Sequence, residues 1–304
     1  MHHLFLVNPT AGKSDQTEVI SAGAKKLCDA LGETYEVKVS TCRGDLTRLT
    51  REAGETGREM RVYACGGDGT LNEVIAGGAG YKNLAITSIP CGSGNDYIKQ
   101  FSNPSAFFDL QNFKNVRTDD LDLMDAGGNL AANICSVGFD ARIGTAIDAY
   151  RRFPLLGGSR AYVASIVVNT IKGVAKPCRV ELPEGVVADE HLTLVCVCNG
   201  SWYGGGFHPI PTATSQDGLL DVLVVKKASR LTVARVIAAY QKGKWEDYPK
   251  YITHYRTKEI RLITPEKEPV NLDGELLMEK DITIKVLPGA LRFFAPVDAW
   301  EETK

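Results

Sequence analysis

The first third of the chain alternates short apolar runs with segments in which apolar residues recur every three or four positions. The runs LFLVN, YEVKVS, RVYAC and LAITSIP predict four buried strands. Between them, Ile20, Ala24, Leu27 and Leu31 share one face of a predicted helix, and further helices are predicted over residues 45–55 and over TLNEVIAG. Strands alternating with helices predict a parallel sheet with helices on its faces.

Beyond about residue 120 the pattern changes to closely spaced strands. The segment LDLMDAGGNLAANICSVGFD predicts two strands around a Gly-Gly turn, followed by helices over 141–152 and 159–172. Strand patterns then follow in CRVEL, HLTLVCVCN, LLDVLVV, EIRLIT, PVNLDGELL, DITIKVL and ALRFFAP, with one helix, LTVARVIAAYQK, among them. An α/β domain over 1–122 followed by a β-rich, sandwich-like domain over 123–291 is therefore expected.

Composition narrows the class of protein. The net charge of −2 argues against a dedicated nucleic-acid binder. The eight cysteines contain no CxxC pair, which favours reduced thiols in a cytoplasmic protein. The five histidines show no zinc-binding spacing. No apolar run reaches ~18 residues, and no basic segment precedes the first strand, so we expect neither a membrane span nor a secretory signal.

The stretch CGGDGTLNEV lies between a predicted strand and a predicted helix. At that edge of a parallel sheet, Gly66, Gly67 and Gly69 would let backbone amides approach a phosphate, beside the positive end of a helix. Asp68 would repel a phosphate by itself, but it suits a site that also holds Mg²⁺ or that transfers the phosphate. The alternative is a tight strand–helix turn in which this aspartate is only a cap.

Two further glycine-containing loops, NPTAGK and PCGSGND, follow the first and fourth predicted strands and precede helical segments. Neither matches the Walker or dinucleotide-binding pattern. Because all three loops fall at the same edge of one sheet, they predict one extended phosphate site.

NPTAGK, GGDGTLNEV and GSGND, in this order, resemble the catalytic domain of diacylglycerol kinases. The resemblance is greatest to the soluble bacterial lipid kinases of that superfamily, which also includes sphingosine and ceramide kinases. NICSVGFDA, GGGFHPIPTATSQDGLLDV and NLDGE extend it over nearly the whole chain. It implies a Rossmann-like nucleotide domain completed by residues 292–304, an active site in the interdomain cleft, and ATP as phosphate donor.

The resemblance also assigns expected roles to matching positions. Asp68, Asp96 and Glu275 would be catalytic, with Glu275 as general base toward the acceptor hydroxyl. A second, structural Mg²⁺ would be held by Asp217, Asp221 and Leu219. The expected ATP-binding positions are Asn8, Pro9, Gly12, Lys13, Thr41, Gly66, Gly67, Asp68, Gly69, Thr70, Asn72, Gly92, Ser93 and Asn95. From the residues alone, Glu275 and Asp217 could equally belong to ordinary turns.

These implications lead to an ATP- and Mg²⁺-dependent kinase that converts diacylglycerol to phosphatidic acid. The acceptor could instead be sphingosine, ceramide, another lipid or NAD, or the chain could be a nucleotide-binding regulator that has lost catalysis. A lipid acceptor implies transient contact with a membrane surface, for which 150–160, 226–230 and 240–256 mix basic with apolar residues. The resemblance is also compatible with a homodimer.

Overall fold

The structure, a computed structural model, describes residues 1–92, 94–139, 141–142 and 175–300. Its first domain contains a parallel sheet with the strand order β4-β3-β1-β2. Strands β1, β3 and β4 are almost continuously buried, as expected for a parallel sheet covered on both faces. The strands are β1 (His2–Val7), β2 (Thr34–Val39), β3 (Met60–Gly66) and β4 (Leu84–Pro90).

Three helices cover this sheet: α1 (Thr17–Leu31), α2 (Asp45–Glu55) and α3 (Asp68–Gly78). The predicted apolar face of α1 is the buried one, with Ile20, Ala24 and Leu27 in the core. Helices α2 and α3 cross closely, since a Cβ atom at Gly77 would lie 2.2 Å from the carbonyl oxygen of Thr47. Helix α3 begins directly after β3, so its N-terminus lies at the carboxyl edge of the sheet.

The second domain is a mainly antiparallel extension of the same sheet. Its strands follow the order β11-β10-β9-β7-β12-β13, while β8 pairs with both β9 and β12. They are β5 (Val116–Ala126), β6 (Asn129–Ala131), β7 (Ile134–Gly138), β8 (Lys176–Leu182), β9 (Gly185–Cys198), β10 (Leu220–Lys226), β11 (Ile252–Thr257), β12 (Glu259–Leu272) and β13 (Glu275–Pro296). Two helices follow β10 and β13, namely α4 (Arg230–Gln241) and α5 (Val297–Trp300).

Strand β13 joins the two domains. Its first half pairs with β12, and residues 284–287 pair with the second half of β5. After a register shift, residues 291–296 pair with the first half of β5, and Phe293 lies beside Ile86 of β4. The buried Phe293 and Phe294 rings enter the aromatic core of the first domain, where Phe294 contacts Tyr63. Strand β13 therefore belongs to both domains and joins them.

The structure confirms the predicted fold class of an α/β domain followed by a β-rich domain. The Gly-Gly turn is also present, with positive φ at Gly127 and Gly128. The predicted strands DITIKVL and ALRFFAP are instead parts of the single strand β13, PVNLDGELL contains the turn between β12 and β13, and β11 was not predicted. The helices predicted over 141–152 and 159–172 fall largely outside the described residues. Within the described part of the chain, no helix has the length and apolar character needed to cross a membrane.

Candidate active site

A cavity of about 1440 Å³ opens at the carboxyl edge of the parallel sheet and extends between the two domains. The loops after β1, β2, β3 and β4 line it on one side, and the turn between β12 and β13 lines it on the other. Of the residues predicted to bind ATP or to act in catalysis, the cavity lining contains Asn8, Pro9, Gly12, Thr41, Gly67, Asp68, Gly69, Thr70, Asn72, Gly92, Asp96 and Glu275.

Some predicted positions do not line this cavity. Lys13, Gly66 and Asn95 lie in the same glycine loops but outside the lining. Gly66 has a packing role, because a Cβ atom there would lie 2.1 Å from the Oγ1 atom of Thr70. Ser93 lies outside the described residues.

Glycine is required where the three loops meet. Gly12 has a φ of +82°, and a Cβ atom there would lie 2.2 Å from the carbonyl oxygen of Cys91. A Cβ atom at Gly92 would lie 2.5 Å from the Cα atom of Gly67. Any side chain at these positions would push the loops apart, so the glycines keep the backbones of all three loops together.

Side-chain hydrogen bonds connect these loops to one another and to the second domain. The Nδ2 atom of Asn8 donates to the Oγ1 atom of Thr70 at 3.1 Å, which joins the first loop to the start of α3. The Nδ2 atom of Asn72 donates to the carbonyl oxygen of Asp273 at 3.2 Å. The second contact holds the β12–β13 turn against α3 on the opposite side of the cavity.

Asp68 and Asp96 lie close together at the base of the cavity. Asp68 accepts a hydrogen bond from the backbone N–H of Tyr97 at 3.1 Å. Asp96 is buried and accepts from the Nζ atom of Lys99 at 2.5 Å and from the backbone N–H of Gly205 at 2.6 Å. Burial raises the pKa of Asp68, and the negative charge of Asp96 raises it further. A cation bound here would relieve this repulsion.

Asp273 is a cavity residue that sequence reasoning missed. It has a φ of +50°, and its carboxylate accepts backbone N–H groups of Ala132, Asn133 and Ile134 at distances down to 2.6 Å. Burial raises the pKa of Asp273 to about 6, although the three N–H groups favour the charged form. The Asp-Gly pair predicted a turn, but no local pattern indicated donors 139 to 141 residues away.

Glu275 begins β13 at the rim of the cavity, with half of its side chain exposed. It forms an ion pair with Arg43, which belongs to the loop between β2 and α2 and also lines the cavity. Arg43 was not predicted either, because sequence reasoning selected only Thr41 from that loop. The ion pair spans the cleft between the two domains.

The residues predicted for a structural metal lie apart from this cavity. Asp217 accepts the backbone N–H of Leu219 at 3.0 Å and forms an ion pair with Arg256. Asp221 contacts the Nε2 atom of His254 at 2.7 Å and the Nε atom of Arg256 at 3.5 Å. Among the described residues, no group of three or more histidine, cysteine, aspartate or glutamate side chains is arranged to hold a metal ion.

Asp122 anchors the segment that carries these residues. Its carboxylate accepts the backbone N–H groups of Gly218 at 2.8 Å and Gly289 at 2.9 Å. The carboxylate of Asp122, which sequence reasoning did not select, therefore joins the backbone at Gly218 to the backbone at Gly289.

The part of the cavity within the second domain is apolar. It lies between α4 and strands β9 and β10, and its lining includes Phe139, Leu194, Tyr203, Phe207, Val225, Val233, Val236, Ile237 and Tyr240. We call this part the apolar lobe. The hydroxyl groups of Tyr203 and Tyr240 are hydrogen-bonded to each other at 2.9 Å. The lobe is continuous with the space beside the glycine loops.

The three segments predicted to meet a membrane have different outcomes. The segment 150–160 lies outside the described residues. In 226–230, Lys226 lines the cavity and pairs with Glu190, and Lys227 is exposed. In 240–256, Trp245, Tyr248 and Tyr251 are partly buried and pack against the second-domain core.

Solved structures define the class of fold to which the chain belongs. A crystal structure of a diacylglycerol kinase from Bacillus anthracis str. Sterne superposes with a TM-score of 0.69 at 22% identity, covering 98% of both chains. Another structure from the same strain gives a TM-score of 0.75 at 24% identity, again over 98% of both chains. The architecture is therefore that of diacylglycerol kinase-like proteins.

Sequence comparisons identify the family. The family model of the diacylglycerol kinase catalytic domain matches residues 2–127, and that of the YegS C-terminal NAD kinase beta sandwich-like domain matches 133–295. The chain is 30% identical to a probable lipid kinase YegS-like protein of Stenotrophomonas maltophilia, covering 91% of this chain and 93% of the relative. A relative of the same name from Chromohalobacter salexigens is 29% identical, over 94% and 91%. The chain belongs to the YegS-like lipid kinase family.

Proposed function

We propose that this lipid kinase transfers the γ-phosphate of ATP to the hydroxyl group of diacylglycerol, giving phosphatidic acid and ADP. The observation that carries the proposal is one continuous cavity with two chemically different ends. Glycine loops and the N-terminus of α3 form one end, where backbone N–H groups suit phosphate. The apolar lobe forms the other end, which suits acyl chains.

Glu275 lies at the rim of this cavity and is our candidate general base. In the proposed reaction its carboxylate accepts the proton of the acceptor hydroxyl while that oxygen forms a bond to the γ-phosphorus. The bond from the γ-phosphorus to the bridging oxygen breaks, and its electron pair leaves with ADP. Half exposure of Glu275 at the cavity rim allows an acceptor to reach it without a rearrangement of the core.

Asp68 and Asp96 fit a site for Mg²⁺ that also uses phosphate oxygens, because that ion commonly takes only one or two protein carboxylates. Bound there, Mg²⁺ would neutralise charge on the transferred phosphate. The hydrogen bonds from Tyr97 and Gly205 hold the two carboxylates in place. We also propose the second Mg²⁺ at Asp217, Asp221 and Leu219, where two carboxylates and a backbone carbonyl oxygen would supply hard ligands.

Access of a bilayer lipid to the apolar lobe requires the protein to meet a membrane surface. Lys226 lines the lobe, and the neighbouring Lys227 is exposed. We propose that these lysines approach anionic head groups while the acyl chains enter the lobe. Each basic residue near such a surface contributes ~1 kcal/mol of attraction, within a Debye length of about 8 Å.

The test is transfer of radiolabelled phosphate from ATP to a panel of acceptors in mixed micelles. The panel contains diacylglycerol, sphingosine, ceramide and NAD. We expect phosphatidic acid as the main labelled product. Selective labelling of sphingosine, ceramide or NAD would identify that compound as the acceptor in place of diacylglycerol, and the protein would still be a kinase. ATP binding without transfer to any acceptor would favour a nucleotide-binding regulator.

A further inference from the structure

The charges that line the cavity are strongly unbalanced beside the glycine loops. The described lining residues include five carboxylates, on Asp68, Glu73, Asp96, Asp273 and Glu275, and two cationic side chains, on Arg43 and Lys226. Lys226 belongs to the apolar lobe and pairs with Glu190. Arg43 is therefore the cation that the described lining offers at the phosphate end. A bound nucleoside triphosphate adds further negative charge there.

The loop backbone places Arg43 in the cleft. Thr41 donates its backbone N–H and its hydroxyl group to the carboxylate of Asp45, at 3.0 and 3.1 Å. Gly44 has a φ of +82° and donates its N–H to Glu73 at 3.0 Å. These bonds fix the loop on both sides of Arg43. The guanidinium side chain itself is 76% exposed, so it can change its partner without any change in the core.

The contact between Arg43 and Glu275 is an exposed ion pair. Ion pairs of this kind contribute little to stability because both partners are well solvated when they separate. A phosphate group competes effectively for arginine, since its oxygens match the planar guanidinium in a bidentate geometry. If Glu275 is the base, the acceptor oxygen and the γ-phosphate must both come near it. The guanidinium of Arg43 is then within reach of that phosphate.

We propose that Arg43 is a phosphate ligand that exchanges partners during the catalytic cycle. In the nucleotide-free protein it holds the carboxylate of Glu275. When a nucleoside triphosphate binds, the guanidinium moves to the terminal phosphate and leaves Glu275 free to accept the hydroxyl proton. This inference rests on the proposed function, since it requires a triphosphate in the glycine loops and Glu275 beside the acceptor.

The experiment measures dissociation constants for ADP and for a non-hydrolysable ATP analogue, each with Mg²⁺, by titration calorimetry. The variants are Arg43→Ala, Arg43→Lys, Glu275→Gln and the double variant Arg43→Ala/Glu275→Gln. The control is Arg51→Ala, which removes an exposed arginine of α2 that lies outside the cavity lining. Melting curves establish that each variant is folded.

We expect Arg43→Ala to weaken binding of the ATP analogue about tenfold or more, the usual effect of losing a charged hydrogen bond, and to leave ADP binding unchanged. Arg43→Lys should recover part of the loss. Glu275→Gln removes the competing carboxylate, so it should strengthen analogue binding by roughly two- to tenfold, again without an effect on ADP. In the double variant, Glu275→Gln should give no such gain, so the analogue should bind as it does to Arg43→Ala alone.

Three results would overturn the exchange. An Arg43→Ala variant that binds both nucleotides normally would show that Arg43 is no phosphate ligand. Equal weakening of ADP and analogue binding in Arg43→Ala would mean that Arg43 contacts the inner phosphates or only supports the loop. If Glu275→Gln still strengthens analogue binding when Arg43 is replaced by alanine, the carboxylate of Glu275 and the terminal phosphate do not compete for Arg43. Failure of the unmodified protein to bind any nucleotide would instead reject the proposed function itself.

Discussion

The backbone N–H of Gly205 donates a 2.6 Å hydrogen bond to the buried carboxylate of Asp96. Asp96 belongs to the third glycine loop of the first domain, whereas Gly205 belongs to a triglycine turn of the second. The other oxygen of the same carboxylate contacts Lys99. The orientation of Asp96 in the cavity therefore depends on both domains, and an intact cleft is a condition for an ordered site.

Asp68→Ala should abolish phosphate transfer and leave the protein folded. Its carboxylate lies in the cavity among glycines, where it is suited to hold Mg²⁺ and has no described ion pair that the fold requires. The measurement is transfer of labelled phosphate, together with a melting curve. Asp29→Ala, on the exposed side of α1, is the control and should be fully active. Near-normal turnover by folded Asp68→Ala would reject the assignment.

Glu275→Gln should lower kcat by roughly 10²–10⁴, the usual contribution of a general base. The amide keeps the size of the side chain but cannot accept the hydroxyl proton. Steady-state kinetics with saturating ATP and acceptor measures the effect. Glu279→Gln, at an exposed position of the same strand, should retain the activity of the unmodified protein. A kcat that is unchanged in Glu275→Gln would assign the base to another residue.

Asp273 should make stability depend on pH in an unusual direction. Its pKa rises from 3.8 when exposed in the unfolded chain to about 6 in the folded protein, so the folded state retains a proton that the unfolded state has lost. Between these values, stability falls as pH rises, by at most about 1.4 kcal/mol per pH unit from this group. Urea unfolding from pH 4 to 7 measures the free energy of unfolding of the unmodified protein and of Asp273→Asn. The fall in stability caused by Asp273 should be present in the unmodified protein and absent from Asp273→Asn. The same slope in both proteins would contradict it.

Asp217→Ala should remove the proposed structural metal. We expect Mg²⁺ to raise the melting temperature of the unmodified protein and EDTA to reverse the increase, because a ligand of the folded state stabilises that state. The variant should melt at a lower temperature and show no response to either. Arg256→Gln tests the observed ion pair separately. An identical response of the unmodified protein and Asp217→Ala to chelation would reject a metal at this segment.

Lys227→Glu should weaken binding to vesicles that contain anionic lipid, since it replaces attraction by repulsion near the apolar lobe. The expected loss is about tenfold or more, and salt should reduce the difference. Sedimentation with vesicles measures it. Lys114→Glu, an exposed residue of the first domain, is the matched control. Activity on a short-chain, water-soluble diacylglycerol should be retained, and an equal loss there would assign Lys227 to the site rather than to the membrane.

Local patterns predicted most of the first domain. The helix predicted over residues 45–55 has the same bounds in the structure, because its apolar periodicity and its glycine and turn neighbours are all local signals. Strand β13 was predicted as separate pieces, since Asp281 and the Pro288–Gly289 pair interrupt its apolar runs. Its continuity comes from pairing with β5 and β12, which no local pattern contains.

The site shows the same limit. The three glycine loops were predictable because each follows a strand, and the carboxyl ends of parallel strands share one edge. Arg43 and Asp273 were missed because their contacts involve distant residues: Arg43 meets a residue 232 positions away. The meeting of the glycine loops at one edge could thus be predicted from the sequence, whereas the contacts across the cleft required the structure.

The placement of β13 has a consequence for folding of the chain during its synthesis on the ribosome. Residues 291–296 pair with β5, and Phe293 lies beside Ile86 of β4, yet they are synthesised long after these two strands. Domains generally fold in the order in which they emerge. Here the first domain emerges first, but the edge of β4 stays open until residues 291–296 have been made. A nascent chain stalled near residue 127 would expose that unpaired edge, and chaperones would be expected to bind it there.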